Sequence, residues 1–235
     1  MATQKTADLD TALAEGASNN LLILKPRMTP LGLILRGDSP LVLNPYGPKL
    51  LEEMIRDQAK SASGKGKKSA KDPVECFNGS RYRLPDGRDA VKASAIRAAT
   101  ISAARFCDKS VPMTLVAGVF FVNRRQQLIP IEHPEKGWYG VDVEPLHDRR
   151  FVRVNTKGAG TGSLDVRHRP MYDPWQITVE VEYDATNISA EQVVNLVERA
   201  GVSIGIGNGR PELKRSMQWG TFHVIDVGTV AEAAE

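Results

Sequence analysis

Apolar and polar positions alternate from Ile177 to Tyr183, with Ile177, Val179, Val181 and Tyr183 on one side and Thr178, Glu180 and Glu182 on the other. That period of two marks a strand with one buried face. After a turn-like stretch, Ser189 stands where a helix N-cap belongs, with Glu191 and Gln192 in the first turn. Val193, Val194, Leu196, Val197 and Ala200 recur at helical spacing, and Gly201 reads as the C-cap. The glycine-rich segment Gly205-Ile206-Gly207-Asn208-Gly209-Arg210-Pro211 comes next and runs into Lys214 and Arg215. Alternation resumes from Thr221 to Val227, which predicts a closing strand. The order is strand, helix, glycine-rich basic loop, strand.

Upstream, Leu21 to Lys25 predicts a first strand, and Leu31 to Leu35 and Pro40 to Leu43 predict further strand pieces. Leu51, Met54 and Ile55 have helical spacing within 50–60. Val91, Ala95, Ile96, Ala99, Ala103 and Phe106 share one helical face, predicting a helix over 91–106. Thr114 to Asn123 reads as a buried strand that turns at Asn123-Arg124-Arg125 into a hairpin partner over Gln126 to Ile131. Two strand-like arms flank the Gly158-Ala159-Gly160-Thr161-Gly162 tip and predict a long hairpin. Its arms carry Arg149, Arg150, Arg153, Lys157, Arg167 and Arg169. Residues 1–20 read as a flexible tail, and 21–235 as a single α+β domain with insertions at 60–73 and 132–170. The first insertion holds Lys60, Lys65, Lys67, Lys68 and Lys71 among Ser, Gly and Ala, a composition that cannot bury enough apolar surface to order itself.

Composition narrows the classes. The chain has 235 residues, 41% apolar and 25% charged, ordinary values for a globular protein. A net charge of +3 is too small to imply a nucleic-acid partner, so only the placement of charge can argue one. Cys76 and Cys107 are far apart in sequence, as in a reduced cytoplasmic protein. No apolar run approaches the ~18 residues of a membrane helix, so no membrane partner is expected.

Candidate chemistry concentrates in loops. Gly205, Gly207 and Gly209 let backbone approach a partner closely, and Arg210, Lys214 and Arg215 add charge beside them. A dinucleotide fingerprint needs strand, glycines, then helix; here the glycines follow a helix, which excludes that fold. His133, His147, His168 and His223 lie at no metal-ligand spacing, and Asp142 and Glu144 lack further ligands. Catalytic residues, metals and cofactors are therefore expected to be none. Trp138 and Trp219 fall in loops near Arg and Lys, where rings can stack on bases, whereas Trp175 and Phe222 are expected in the core.

These residues resemble a known family. A helix running into Gly205-Ile206-Gly207-Asn208-Gly209-Arg210-Pro211 through Trp219-Gly220 and then a last strand is similar to the RAMP superfamily of CRISPR backbone proteins. So is Leu84-Pro85 ahead of the small-residue helix Lys92-Ala93-Ser94-Ala95-Ile96-Arg97-Ala98-Ala99. The Gly-Ile-Gly, Arg-Pro-Glu and Gly-x-Phe-x-Val ending also resembles small uncharacterised phage and prophage proteins. The resemblance implies an α+β fold with a ferredoxin-like (RRM-like) core, β-rich insertions and a long hairpin.

The expected function is non-catalytic binding of single-stranded nucleic acid, RNA favoured over DNA, by repeated protomers along the strand in the cytoplasm. Arg149, Arg153, Lys157, Arg167, Arg169, Arg210, Lys214 and Arg215 would meet phosphates, Gly205, Gly207 and Gly209 would admit them, and Trp138 or Trp219 would stack on bases. Copies of itself, and other subunits of a ribonucleoprotein complex, would be the protein partners. A phage assembly protein without nucleic-acid contact, or an endoribonuclease of the same fold, are the alternatives.

Overall fold

The computed structural model describes residues 25–45, 51–52, 55–56, 72–107, 111–154, 163–213 and 217–228, with backbone alone at 152–154 and 163–164. In chain order the elements are β1 (Met28–Gly37), β2 (Leu41–Val42), α1 (Pro73–Gly79), β3 (Tyr82–Arg83), β4 (Asp89–Lys92) and α2 (Ala93–Ala103). They continue with α3 (Met113–Val119), β5 (Phe120–Val122), β6 (Leu128–Pro130), β7 (Glu132–His133) and β8 (Gly137–Trp138). The last are β9 (Leu146–Val154), β10 (Ser163–Tyr172), β11 (Gln176–Asp184), α4 (Ala190–Ser203) and β12 (Phe222–Gly228). This is a mixed α and β chain whose strand pairs within the named sheets are antiparallel.

The main sheet runs β12-β1-β11, with β5 pairing β11 at one end and β7 at the other. Register puts Leu31, Leu33 and Leu35 opposite Val181, Val179 and Ile177, so one side of the sheet is continuously apolar. α2 and α4 cover that side. α2 buries Ala93, Ile96, Ala99 and Ala103, and its alanines allow close approach to α4. α4 buries Val193, Leu196, Val197, Ala200 and Gly201. The sheet's other side bears Thr178, Glu180 and Glu182 on β11 and, in register across β1, Asp226 on β12.

The start of α4 follows the predicted capping logic. Ser189 Oγ accepts from Gln192 N at 3.2 Å while Ser189 N donates to Gln192 Oε1 at 2.9 Å, satisfying two first-turn donors at once. Its end differs from expectation. Gly201 lies inside the helix, and a Cβ there would sit 1.9 Å from Phe222 O. The glycine is required by close helix-to-strand packing, not by a cap. Trp175 and Phe222 are fully buried and meet edge to face at 6.3 Å, as expected of core residues.

Three further expectations are corrected. Residues 113–119 form helix α3, and only Phe120 to Val122 are strand, because a short apolar run does not by itself distinguish the two. β6 pairs β4 in a second small sheet with β3, not its sequence neighbour β5. Val91 belongs to β4, so the helix begins at Ala93. The expected strand over 21–25 falls almost wholly outside the described residues, as do the tail and the lysine-rich loop. The long hairpin is present as β9 and β10, which β2 extends to a third sheet.

A buried polar junction joins the small sheets. Asp89 is fully buried and accepts from Arg81 Nε at 3.0 Å and from Tyr172 Oη at 3.2 Å. Arg81 reaches Glu144 at 2.7 Å, and its Nη2 lies 2.8 Å from Asp89 Oδ2 without the direction of a hydrogen bond. Burial opposes the Arg81 charge, but the Asp89 and Glu144 carboxylates outweigh it and hold its pKa above the usual value. Burial and the Asp89 charge raise the Tyr172 hydroxyl, and burial raises that of neighbouring Tyr139 to about 12.

Candidate nucleic-acid interface

The glycine-rich segment is a folded support. Gly205, Gly207, Gly209 and Gly220 all have positive φ, which L side chains adopt at a cost. Its amides are largely committed within the protein. Gly205 N donates to Ala200 O at 2.9 Å, Ile206 N to Gly220 O at 2.9 Å and Asn208 N to Val42 O at 2.8 Å. A Cβ at Gly205 would meet Pro211 Cδ at 2.7 Å, and one at Gly207 would meet Val42 O at 2.7 Å. Ile204 and Ile206 are buried in the core. The open space at these three glycines is therefore filled by the protein itself. What the loop does is carry Trp219 outward: Trp219 N donates to Gly209 O at 3.2 Å, and Gly220 N to Pro40 O at 2.9 Å.

Trp219 meets the hairpin there. The Arg150 guanidinium lies 4.6 Å from the Trp219 ring centre and also contacts Met217 Sδ. Arg150 and Trp219 are each part-exposed, and Met217 is exposed. A cation over an indole face in partial contact with solvent is favourable, about 0.5–1 kcal/mol, and Arg150 Nε also lies 4.0 Å from Asp148 Oδ1.

Register decides which other cations join them. Arg150 pairs with Arg167 and Asp148 with Arg169, so these four share one face of the ribbon. Arg167 is exposed beside Arg150. Arg169 is buried and donates through Nε to Asp148 at 3.0 Å, so its charge is internally balanced. Arg149 pairs with His168 and stands on the opposite face, with His147 and the exposed Phe151. Arg153 has the register of that opposite face. On that side His147 Nε2 and His168 Nδ1 are 2.9 Å apart, and burial together with Arg149 and His168 keeps the His147 imidazole below its usual pKa.

The remaining candidates are dispersed. Arg210 donates to Glu212 at 3.2 Å and to Gly207 O at 3.3 Å, and Glu212 also takes Arg105. Trp138 sits in β8 at the far end of the main sheet, half-buried beneath Arg88 at 4.7 Å. Lys157, Lys214 and Arg215 lie outside the described residues. The structure thus links Arg167 to Trp219 through Arg150, its register partner and the cation over the indole, and separates both from Arg149, Arg153 and Trp138. Arg150 and Met217 were missing from the candidate set. Period two along 146–154 would have paired Arg150 with Arg167, but nothing local in sequence places Trp219 beside them.

Among the described residues no group of three or more His, Cys, Asp or Glu is arranged to hold a metal ion, and no helix is long and apolar enough to cross a membrane. No family model matches the sequence, and no curated protein matches it. Among solved structures, the chain is similar to one in the "Cryo-EM structure of the Type III-B Cmr-beta bound to cognate target RNA". The alignment covers 95% of this chain and 66% of that one, with 9% identity and a TM-score of 0.43. At that level the likeness does not identify what this chain does.

Proposed function

We propose that the chain binds single-stranded nucleic acid, RNA in preference to DNA, without cleaving it, through the face where the hairpin meets the Trp219 loop. The carrying observation is the Arg150–Trp219 contact at 4.6 Å, which joins cation and ring from two distant segments. Arg150 and Arg167 contact phosphates, Trp219 offers a stacking surface, and Gly205, Gly207 and Gly209 shape the loop that presents it. Lys157, Lys214 and Arg215 also meet phosphates in this reading, while Arg210 and Arg169, held by Glu212 and Asp148, support the loop and the ribbon. Arg149 and Arg153, on the ribbon's opposite face, and Trp138, at the far end of the main sheet, serve a neighbouring protomer's segment of the strand.

The fold beneath it is ferredoxin-like in this reading, and RAMP-like in its hairpin and glycine loop. Support comes from the antiparallel order β12-β1-β11-β5, with α2 between β1 and β5 in sequence and α4 between β11 and β12. Unlike an RRM-type platform, the open side of this sheet bears Glu180, Glu182 and Asp226, so the strand is bound at the hairpin and loop. Residues 21–235 act as one domain, in the cytoplasm, as repeated copies within a ribonucleoprotein assembly.

Anisotropy of labelled single-stranded RNA and DNA at about 50 and 200 mM salt tests this. The expected result is tighter binding to RNA, weakened strongly by salt. Absence of binding at low salt, or indifference to salt, overturns it.

A second reading has its own observation. His223 Nδ1 lies 2.6 Å from Asp38 Oδ1 at the surface, with Arg36 opposite His223 in register. Such a trio fits an endoribonuclease, with His223 as base and Arg36 on the phosphate. RNA left intact by the wild type excludes that activity; cleavage abolished by His223→Ala establishes it. A phage assembly role would instead use Phe151, 73% exposed on the hairpin, and would appear as ordered particles free of nucleic acid.

A further inference from the structure

At the β5 edge of the main sheet, remote in the fold from the hairpin, lies a half-open surface cavity of about 320 Å³ lined by Ser94, Arg97, Phe121, Val122, Arg124 and Gln127, of which Ser94, Arg124 and Gln127 are exposed. Its volume is at the lower end of the range of small-ligand sites, roughly 300–1,000 Å³. Both charged lining residues are arginines. Phe121 is half-buried between the buried Phe120 and Val122, which fixes its ring at the cavity wall. Arg124 lies over that ring at 4.1 Å and Arg97 at 5.6 Å.

The two guanidiniums are held differently. Arg97 donates through Nε to Phe120 O at 3.1 Å and through Nη2 to Ala117 O, which anchors it in place. Arg124 gives Nη1 to Glu182 at 3.0 Å, leaving its Nε and Nη2 donors and one planar face for a ligand. Ser94 stands in the first turn of α2, whose N-cap residue Lys92 provides no side-chain cap, and Gln127 O accepts from Ala93 N at 2.9 Å. The cavity therefore combines a stacking surface, the Arg97 charge held by neutral carbonyls, an Arg124 guanidinium shared with Glu182, and short polar groups.

We propose that this cavity binds a single nucleotide bearing a terminal phosphate. The base lies against the Arg124–Phe121 stack, and the phosphate sits between Arg97 and Ser94. A lone phosphate would not use the ring, and an uncharged aromatic would not use the Arg97 guanidinium. A free mononucleotide and the phosphorylated end of an RNA strand share this chemistry. The site is independent of the Arg150–Trp219 face.

Calorimetric titration tests the proposal with adenosine 5′-monophosphate, adenosine, inorganic phosphate, and a short single strand with and without a 5′-phosphate. The proteins are the wild type, Arg124→Gln, Phe121→Leu and Trp219→Ala, each checked for folding by circular dichroism. The monophosphate should bind more tightly than adenosine or phosphate, and about tenfold or more weakly to Arg124→Gln and Phe121→Leu. Trp219→Ala should leave it unchanged, which separates this site from the strand-binding face. Preference for the phosphorylated strand alone assigns the site to RNA ends; equal binding of the free monophosphate assigns it to mononucleotides. The proposal is overturned if neither phosphorylated probe binds in preference to its unphosphorylated form. It is equally overturned if Arg124→Gln and Phe121→Leu both bind the monophosphate as the wild type does, or if Trp219→Ala abolishes binding of the monophosphate.

Discussion

Two arginines illustrate how the molecule uses positive charge. Arg81 is buried, with 1% of its side chain exposed, and faces Asp89 and Glu144. Arg150 is part-exposed and faces an indole ring. The first is buried as well as matched by carboxylates, and so offers nothing to a ligand. The second stacks on a neutral ring and has an acid only at arm's length, Asp148 Oδ1 at 4.0 Å, which Arg169 already engages more closely. Arg169 and Arg210 belong with the first, through Asp148 and Glu212; Arg167 belongs with the second. A count of arginines is thus a poor guide to a polyanion site, and the partner of each one decides.

The largest expected effect breaks the closed side of this contrast. Asp89→Ala leaves the buried Arg81 guanidinium with Glu144 alone and should cost about 3–5 kcal/mol of stability, read by denaturant unfolding. Strand affinity measured on the folded fraction should be unchanged. If Asp89→Ala is as stable as the wild type, the junction does not hold the small sheets together.

Gly220→Ala tests the link between support and site. At φ +68 an added Cβ would lie 1.9 Å from Ile206 O, so about 2–4 kcal/mol should be lost. Strand binding should weaken as well, because this loop carries Trp219.

The open side comes next. Trp219→Ala should weaken single-strand binding about ten- to a hundredfold, with little change in unfolding midpoint. Arg167→Gln should lower the slope of log affinity against log salt by about 1, whereas Arg149→Gln, on the opposite face, should affect only cooperative binding by several copies.

The smallest effect is a pH dependence. Tyr139 has its hydroxyl raised to about 12 by burial, above the roughly 10 of an unfolded tyrosine. A raised pKa favours the protonated folded form, so this contribution is complete below pH about 10 and is lost as pH rises toward 12. Thermal melts across that window should show the wild type losing stability more steeply than Tyr139→Phe.

How much of this was legible in advance follows from the range of each signal. β11 and α4 were readable because each carries a complete local pattern: seven alternating residues in one, and a Ser189–Gln192 capping box in the other. α3 was misread as strand because its apolar residues form a run without either period. Gly201 and the 205–209 glycines were noticeable in sequence, but their purpose was not. What they avoid, Phe222 O, Val42 O and Pro211, arrives from segments up to 165 positions away.

Sequence by itself determined the α+β class, the long hairpin, the capped helix and the burial of Trp175 and Phe222, since each depends on neighbours along the chain. Tertiary structure alone decided which arginines are matched by acids, which side of the ribbon each one occupies beside its partners, and that Trp219 stacks with Arg150. The reason is that electrostatic availability depends on distance in space, and ribbon register with loop packing sets those distances only after the sheets have joined.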